Sequence, residues 1–169
     1  MGKKILVITA SPNREGNSAK MADAFIRGAT EAGHSVTKFE TAFKNMRGFT
    51  AAPEPDDFSE LAPLLSGADV VALASPLYWY SFPAQLKAVV DQLDYSENSP
   101  MTKKESYFFV SGGDGNEETF KPIGALYSAI TEYMVWKDRG VLQARGLDDA
   151  GAIEKSGLLE EAGKLGKAV

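Results

Sequence analysis

Three segments of the chain, residues 5–9, 70–74 and 107–110, are apolar at successive positions. A strand has this pattern when both of its faces are covered, as in the middle of a parallel sheet. Residues 35–39 alternate between apolar and polar side chains, which predicts a further strand, and another is predicted near residues 138–145. The pattern therefore indicates five strands, three of them buried on both faces.

Segments whose apolar residues have helical spacing lie between these strands. Residues 19–32 place Met21, Phe25 and Gly28 on one face, and the following Gly33 is a residue type that commonly ends helices. Four more helices are predicted for residues 57–66, 82–94, 118–135 and 153–168. Residues 41–57, which include Ala52 and Pro53, contain no periodic pattern and are expected to form a long irregular connection.

Strands that alternate with helices, through connections too long for hairpins, form a parallel sheet with helices on both faces. The predicted fold class is α/β, a three-layer sandwich. Five strands in 169 residues fit the flavodoxin-like order 2-1-3-4-5. In this order ligands bind beyond the carboxyl ends of the strands, where the strand order reverses. We expect residues 1–169 to be one domain.

Composition excludes several kinds of chemistry. The chain has no cysteine and a single histidine, His34, so disulfides, thiolate metal sites, cysteine-ligated iron-sulfur clusters and cysteine nucleophiles are excluded. We expect no metal site and no catalytic side chain, with the chemistry carried by a bound cofactor.

Charge and hydropathy exclude two classes of binding partner. The formal net charge of −5 repels a nucleic-acid backbone or an anionic membrane surface. No apolar run approaches the roughly 20 residues of a membrane span, and the first residues lack a signal-peptide pattern. We therefore expect a cytoplasmic protein that binds neither nucleic acid nor membranes.

The first candidate binding loop follows the first strand and reads SPNREGNS (residues 11–18). Because it opens a helix, unpaired backbone N–H groups face the reversal point and favour an anion such as phosphate. Polar groups that would add to this site belong to Ser11, Asn13, Asn17 and Ser18, with one positive charge from Arg14. The alternative is that Asn17 or Ser18 only caps the helix. The GxGxxG motif of dinucleotide sites and the GxxxxGK[ST] motif of nucleotide triphosphate sites do not occur here.

Two further loops follow the third and fourth strands. Residues 75–82 (SPLYWYSF) carry four aromatic side chains, which suit a planar ring, although core packing or a subunit contact would also explain them. Residues 111–116 (SGGDGN) contain three glycines, which let the backbone approach a ligand; a plain loop in which Asn116 caps a helix is the alternative. All three loops would meet in one crevice.

The residues of these loops resemble the NADPH-dependent FMN reductase family, whose wider group includes iron-sulfur flavoproteins. The similarity covers essentially the whole chain and rests on SPNREGNS, on SPLYWYSFPAQLKAVVDQLD and on the glycine-rich turn of residues 111–116. It implies FMN as the cofactor and NAD(P)H as the electron donor. It also implies that Ser11, Asn13, Asn17 and Ser18 hold the FMN phosphate, that Pro76, Leu77, Tyr78 and Trp79 line the ring and ribityl chain, and that Ser111, Gly112 and Gly113 close the opposite edge.

The chain departs from the iron-sulfur members at one motif. Where they carry C-x-G-C-x-x-C, residues 46–52 read MRGFTAA, with the glycine kept and every cysteine replaced. No cluster can form on these side chains, so the resemblance leaves the flavin as the redox centre.

The leading hypothesis is an FMN-dependent NAD(P)H oxidoreductase that passes electrons to a quinone, a flavin or a similar small acceptor. The alternative is a flavodoxin-like electron carrier that does not use NAD(P)H, and a degenerate interaction module is a third possibility. We also expect a homodimer, or a larger assembly such as a homotetramer, because the aromatic side chains of residues 78–82 cannot all stack on one ring. In the alternative arrangement, residues 41–57 cover these rings within one chain.

Overall fold

The computed structural model of the chain describes residues 2–51 and 54–169, in which five strands alternate with five helices. The strands are β1 (Lys4–Thr9), β2 (Ser35–Glu40), β3 (Val70–Pro76), β4 (Glu105–Gly112) and β5 (Lys137–Arg145). The helices are α1 (Asn17–Glu31), α2 (Phe58–Gly67), α3 (Ala84–Asp91), α4 (Glu117–Tyr133) and α5 (Leu158–Lys167). Short 3-10 turns cover Thr41–Phe43 and Ala152–Lys155.

All five strands are parallel and lie in the order β2-β1-β3-β4-β5, which confirms the predicted fold class and order. β1 pairs with β2 on one side and with β3 on the other. The chain therefore extends the sheet in opposite directions from β1. The connections after β1 and β3 leave on opposite faces and open a crevice at the carboxyl edge of the sheet.

Two apolar layers enclose the sheet. Ile5 and Val7 contact the layer that contains α1 and α5, while Leu6 and Ile8 face the layer that contains α2, α3 and α4. All four side chains are at most 2% exposed. Burial on both faces explains why this strand is apolar at every position rather than at every second position.

The prediction of one helix over residues 153–168 was wrong. Residues Ala152–Lys155 form a separate 3-10 turn, and α5 begins only at Leu158. Gly157 between them has a φ of 76°, a left-handed conformation that interrupts helical geometry and that glycine adopts without steric cost.

The helix predicted for residues 82–94 is shorter than expected. Tyr78 and Ser81 exchange two backbone hydrogen bonds across a tight turn, and Pro83 is the residue that precedes the first turn of α3. At the other end, Gln92 and Leu93 donate to the carbonyls three residues earlier, which tightens the last turn beyond Asp91.

The long connection before α2 packs on α3. The Asp56 carboxylate accepts hydrogen bonds from Arg47 N (2.8 Å), Phe58 N (3.1 Å) and Gln92 Nε2 (2.9 Å). Burial of this carboxyl raises its pKa, but the three donors together bring the pKa below its ordinary value. Ala52 and Pro53, which belong to the same predicted connection, lie outside the described residues. Among residues 2–51 and 54–169, no helix combines the length and the apolarity needed to cross a membrane.

α1 and α5 touch through their backbones. A Cβ atom placed on Gly28 of α1 would lie 2.1 Å from the carbonyl oxygen of Gly163, and one on Gly166 of α5 would lie 2.1 Å from the carbonyl oxygen of Phe25. Two backbones this close leave no room for a methyl group. The separation between these helices therefore depends on glycine at both positions.

Gly28→Ala is expected to lower the free energy of unfolding by about 1–3 kcal/mol, because the new methyl group must push α5 away from α1. Urea unfolding followed by circular dichroism measures this change. The matched control is Gly124→Ala in α4, where an added Cβ would have no neighbour within 4 Å. The control should instead be stabilising, by about 0.5–1 kcal/mol. Equal stabilisation by both substitutions would contradict the close packing of α1 and α5.

Candidate functional site

A cavity of about 320 Å³ opens at the carboxyl edge of the sheet, beside the ends of β1 and β3. Its walls come from four chain segments, the loops after β1, β3, β4 and β5. The lining residues are Ser11, Asn13, Gly16, Asn17, Ser18, Pro76, Leu77, Tyr78, Ser111, Gly112, Gly113, Leu147, Asp148 and Ala150. The three loops singled out in the sequence thus meet in one place.

A second groove of about 360 Å³ lies between the carboxyl-terminal ends of α3 and α4. Its lining is mainly apolar, from side chains such as Leu93, Ile130 and Met134. It is slightly larger, but it lies at the opposite edge of the sheet and lacks converging polar groups. Convergent donors mark a binding site better than volume does, so the crevice at the carboxyl edge is the candidate site.

The first loop is held in a tight turn by its own polar groups. The Ser11 hydroxyl donates to the carbonyl of Asn13 (2.7 Å) and accepts from Asn13 N (3.1 Å). Gly16 N donates to the same carbonyl (3.0 Å). A Cβ on Gly16 would lie 2.9 Å from Ser11 Oγ, so glycine keeps this turn compact. The Ser11 side chain therefore shapes the loop from within.

α1 begins without a side-chain cap. Gly16 occupies the capping position, so neither Asn17 nor Ser18 acts as the N-cap that was the simple alternative for this loop. The N–H groups of the first helical residues have no acceptor within the helix and carry its positive dipole end. The Ser18 side chain lines the cavity beside them and is 1% exposed. This end of the crevice can receive an anion through neutral donors.

The amide of Asn17 is directed to the loop after β5. Its Nδ2 donates to the carbonyls of Leu147 (3.1 Å) and Asp149 (3.0 Å), and its Oδ1 accepts from Ile153 N (3.2 Å). Both amide hydrogens of Asn17 thus already have acceptors. This geometry disagrees with the prediction that the Asn17 side chain binds the phosphate.

The second loop divides its aromatic residues between different surroundings. Trp79 and Tyr80 have φ values of 49° and 64°, which reverse the chain within the Tyr78–Ser81 turn. Phe82 is buried and packs edge-on against Phe108 at 5.7 Å between ring centroids. Tyr78 borders the cavity and is about half exposed, whereas the Trp79 side chain is 94% exposed.

The third loop lies beside the second, because β3 and β4 are paired strands. Leu77 N donates to the carbonyl of Ser111 (2.8 Å), which joins the two loops. Gly112 lines the cavity with backbone atoms alone. A Cβ there would approach Phe120 to 3.1 Å and Leu77 to 3.3 Å, so glycine lets β4 lie close to these two side chains. The Thr119 hydroxyl and Asn116 N–H donate to Asp114 and hold the pKa of that carboxyl below its ordinary value.

Asn116 also accepts from Glu118 N (3.0 Å), which is the capping bond expected in the plain-loop alternative. The cap and the bare glycine backbone occur together in this loop.

Two predicted site residues do not line the cavity. The Arg14 guanidinium pairs with Glu40 (2.9 Å) and lies 4.0 Å above the Phe43 ring, so its charge is shared with a carboxylate outside the crevice. Trp79 points into solvent. The described residues 41–51 and 54–57 lie against α3 and leave Trp79 uncovered, which contradicts the alternative that this connection covers the aromatic loop.

The fourth wall of the cavity, formed by Leu147, Asp148 and Ala150 after β5, was not predicted from the sequence. The Asp148 carboxylate lies against the backbone of Gly113, where it occupies the space a Cβ would need. The predicted strand near residues 138–145 could have indicated this wall, because all parallel strands end at the same edge of the sheet and the loop after β5 must lie there.

A family model described as NADPH-dependent FMN reductase matches residues 3–129. Among curated proteins, an iron-sulfur flavoprotein of Archaeoglobus fulgidus is 31% identical over 99 residues, which are 53% of this chain and 45% of that protein. The match thus spans less than half of the archaeal protein. The uncharacterized NAD(P)H oxidoreductase YcaK of Escherichia coli is 28% identical over 139 residues, 72% of this chain and 70% of that protein.

Solved structures share the fold. The NAD(P)H:quinone oxidoreductase of Methanothermobacter marburgensis superposes with a TM-score of 0.72 at 18% identity, over 99% of this chain and 96% of that one. At this identity the likeness establishes the three-layer architecture.

Proposed function

Since the chain belongs to the family of NADPH-dependent FMN reductases, we propose that its crevice holds FMN and that electrons pass from NAD(P)H through this flavin to a small acceptor such as a quinone or a second flavin. The family confirms the resemblance seen in the sequence, and it supports an NAD(P)H-dependent FMN oxidoreductase activity for this chain. The acceptor and the residues that hold the flavin are our proposal.

The observation that carries the proposal is the polarity of the crevice from one end to the other. At the α1 end lie the free N–H groups of the first helical turn and the Ser18 hydroxyl, which suit a phosphate group. At the other end lie Leu77, Tyr78 and the bare backbone at Gly112, which suit a planar ring. A flavin mononucleotide has these two parts in one molecule.

The phosphate end needs no cation from the described lining residues. Each hydrogen bond between a neutral donor and a charged phosphate oxygen is worth about 1.5–3 kcal/mol, and the helix dipole adds to it. Asp148 is the acidic side chain among the lining residues. Its charge favours a phosphate placed at the α1 end over one placed beside Gly113.

Bound FMN supplies the redox chemistry by taking a hydride from NAD(P)H and releasing electrons to the acceptor. The protein's part is to fix the ring between the second and third loops and to leave one face open. Pro76 and Leu77 form the closed side, held to β4 through Leu77 N and Ser111 O. A small planar acceptor can replace the nicotinamide on the open side, and the quinone named for the Methanothermobacter relative supports that class.

The first test uses the purified protein. We expect a yellow preparation whose flavin absorption bleaches without oxygen when NADPH or NADH is added and returns when a quinone is added. Chromatography after denaturation should identify the released cofactor as FMN. Recovery of mainly FAD would contradict the phosphate placement. Bound FMN that neither NADPH nor NADH reduces would favour the electron-carrier alternative.

We further propose that the working form is a homodimer or a larger homo-oligomer in which the second loop lies at the subunit contact. The side chains of Tyr78, Trp79 and Tyr80 are 47%, 94% and 54% exposed beside the mouth of the crevice. Exposed aromatic clusters of this kind are enriched at the centres of protein interfaces. A second subunit would cover them and shelter the ring end of the site.

Light scattering at micromolar concentration should give about twice the 18.2 kDa mass of one chain, or a larger multiple. Trp79→Ser should shift the protein toward the single-chain mass, since truncating a central aromatic residue commonly costs about 2 kcal/mol or more of binding energy. Tyr133→Ser, which changes an aromatic residue that is 74% exposed at the opposite edge of the sheet, is the control. A wild-type mass of 18.2 kDa would overturn this proposal.

A further inference from the structure

The loop after β5 is fastened to two neighbours, the third loop and the start of α1. We refer to residues 146–153 as the wall segment. At one place, Gly146 N donates to Asp114 O (3.0 Å) and Leu147 N donates to Gly112 O (3.2 Å), which joins the wall segment to the third loop. At the other place the Asn17 side chain joins it to the start of α1. The wall segment therefore bridges the third loop and the start of α1, with Leu147 held on both sides.

The second attachment depends on the chemistry of one amide group. Asn17 is 7% exposed, and its two amide hydrogens and its oxygen meet two carbonyls and one N–H of the wall segment. No other side chain of this size offers two donors and an acceptor in this arrangement. Aspartate has the same shape, but it would place a carboxylate against the carbonyls of Leu147 and Asp149.

We propose that Asn17 is a positioning residue, which acts on the flavin by holding the wall segment against α1 instead of by binding the phosphate. This inference rests on the proposed function, since it concerns the same crevice. With the wall segment in place, Leu147, Asp148 and Ala150 close one side of the cavity along its length. Without the three hydrogen bonds, the wall segment would keep its backbone attachment to the third loop but would loosen from α1 over Leu147, Asp148 and Ala150.

A positioning role and direct phosphate binding by Asn17 predict different affinities for FMN and riboflavin. Asn17→Ala should weaken FMN and riboflavin by similar factors, about tenfold or more, because both ligands lose the wall. Ser18→Ala should weaken FMN about tenfold and leave riboflavin nearly unchanged, because its hydroxyl faces the phosphate end alone. Quenching of flavin fluorescence on titration into the full chain freed of flavin measures all four affinities.

Hydrogen exchange followed by mass spectrometry tests the attachment itself. In Asn17→Ala and Asn17→Asp, amides of residues 147–153 should exchange at least about tenfold faster than in the wild type, with or without FMN. Asn13→Ala is the matched control, because it shortens an asparagine of the same loop whose side-chain oxygen accepts from Glu15 N. It should leave exchange of the wall segment unchanged.

Two further measurements distinguish positioning from a general loss of stability. Gly28→Ala weakens the contact of α1 with α5 far from the crevice, and it should leave the flavin affinities and the visible circular dichroism of bound flavin at their wild-type values. Asn17→Ala, saturated with FMN, should have an altered visible circular dichroism spectrum, because the ring sits against a displaced wall.

Selective loss of FMN in Asn17→Ala would overturn the inference and make Asn17 a phosphate ligand. Unchanged exchange of residues 147–153 would overturn it as well. If the wild type bound neither flavin, the proposed function would fail, and the exchange comparison would still decide whether Asn17 holds the wall segment.

Discussion

The parallel pairing of β1 with β2 on one side and β3 on the other is the constraint from which the candidate site follows. It sends the connections after β1 and β3 to opposite faces, so their first residues separate and leave a crevice between them. The same pairing places the start of α1 at the mouth of this crevice. Burial of β1 on both faces keeps that edge rigid. The site is thus an outcome of strand order before any side chain contributes.

The positive charge within the crevice comes from backbone N–H groups at the start of α1. The chain is acidic, and the one arginine of the first loop is paired with Glu40 outside the cavity. Backbone N–H groups at a helix start provide partial positive charge at fixed positions without the desolvation cost of a buried cation. Asp148, at the opposite wall, adds a negative charge near Gly113. A phosphate at one end and a neutral ring toward the other match this distribution.

The hydrophobic pattern of the sequence correctly predicted the buried strands and the loops that follow them. It did not predict features that depend on long-range hydrogen bonds or on a single backbone angle. Successive apolar residues in β1 and β3 indicated buried parallel strands, and the loops that follow them were correctly placed at one edge. The break before α5 depends on a left-handed Gly157, and a helical pattern continues across that position without a sign of it. The direction of the Asn17 amide depends on carbonyls about 130 residues away, which no local spacing reveals. Arg14 was assigned to the crevice because its loop leads there, but Glu40 and Phe43 bind its guanidinium instead.

We propose that the first turn of α1 binds the phosphate of FMN as a dianion through neutral donors. A free phosphate monoester takes up its second proton near a pH of about 6. Phosphorus NMR of the flavin-loaded protein, recorded as the pH falls from about 8 to about 5, follows that proton directly. We expect one resonance, displaced from that of free FMN, whose position stays constant across this range because the helix N–H groups favour the dianion. A resonance that titrates as free FMN does would contradict the account, since the phosphate would then be in solvent and not at the start of α1.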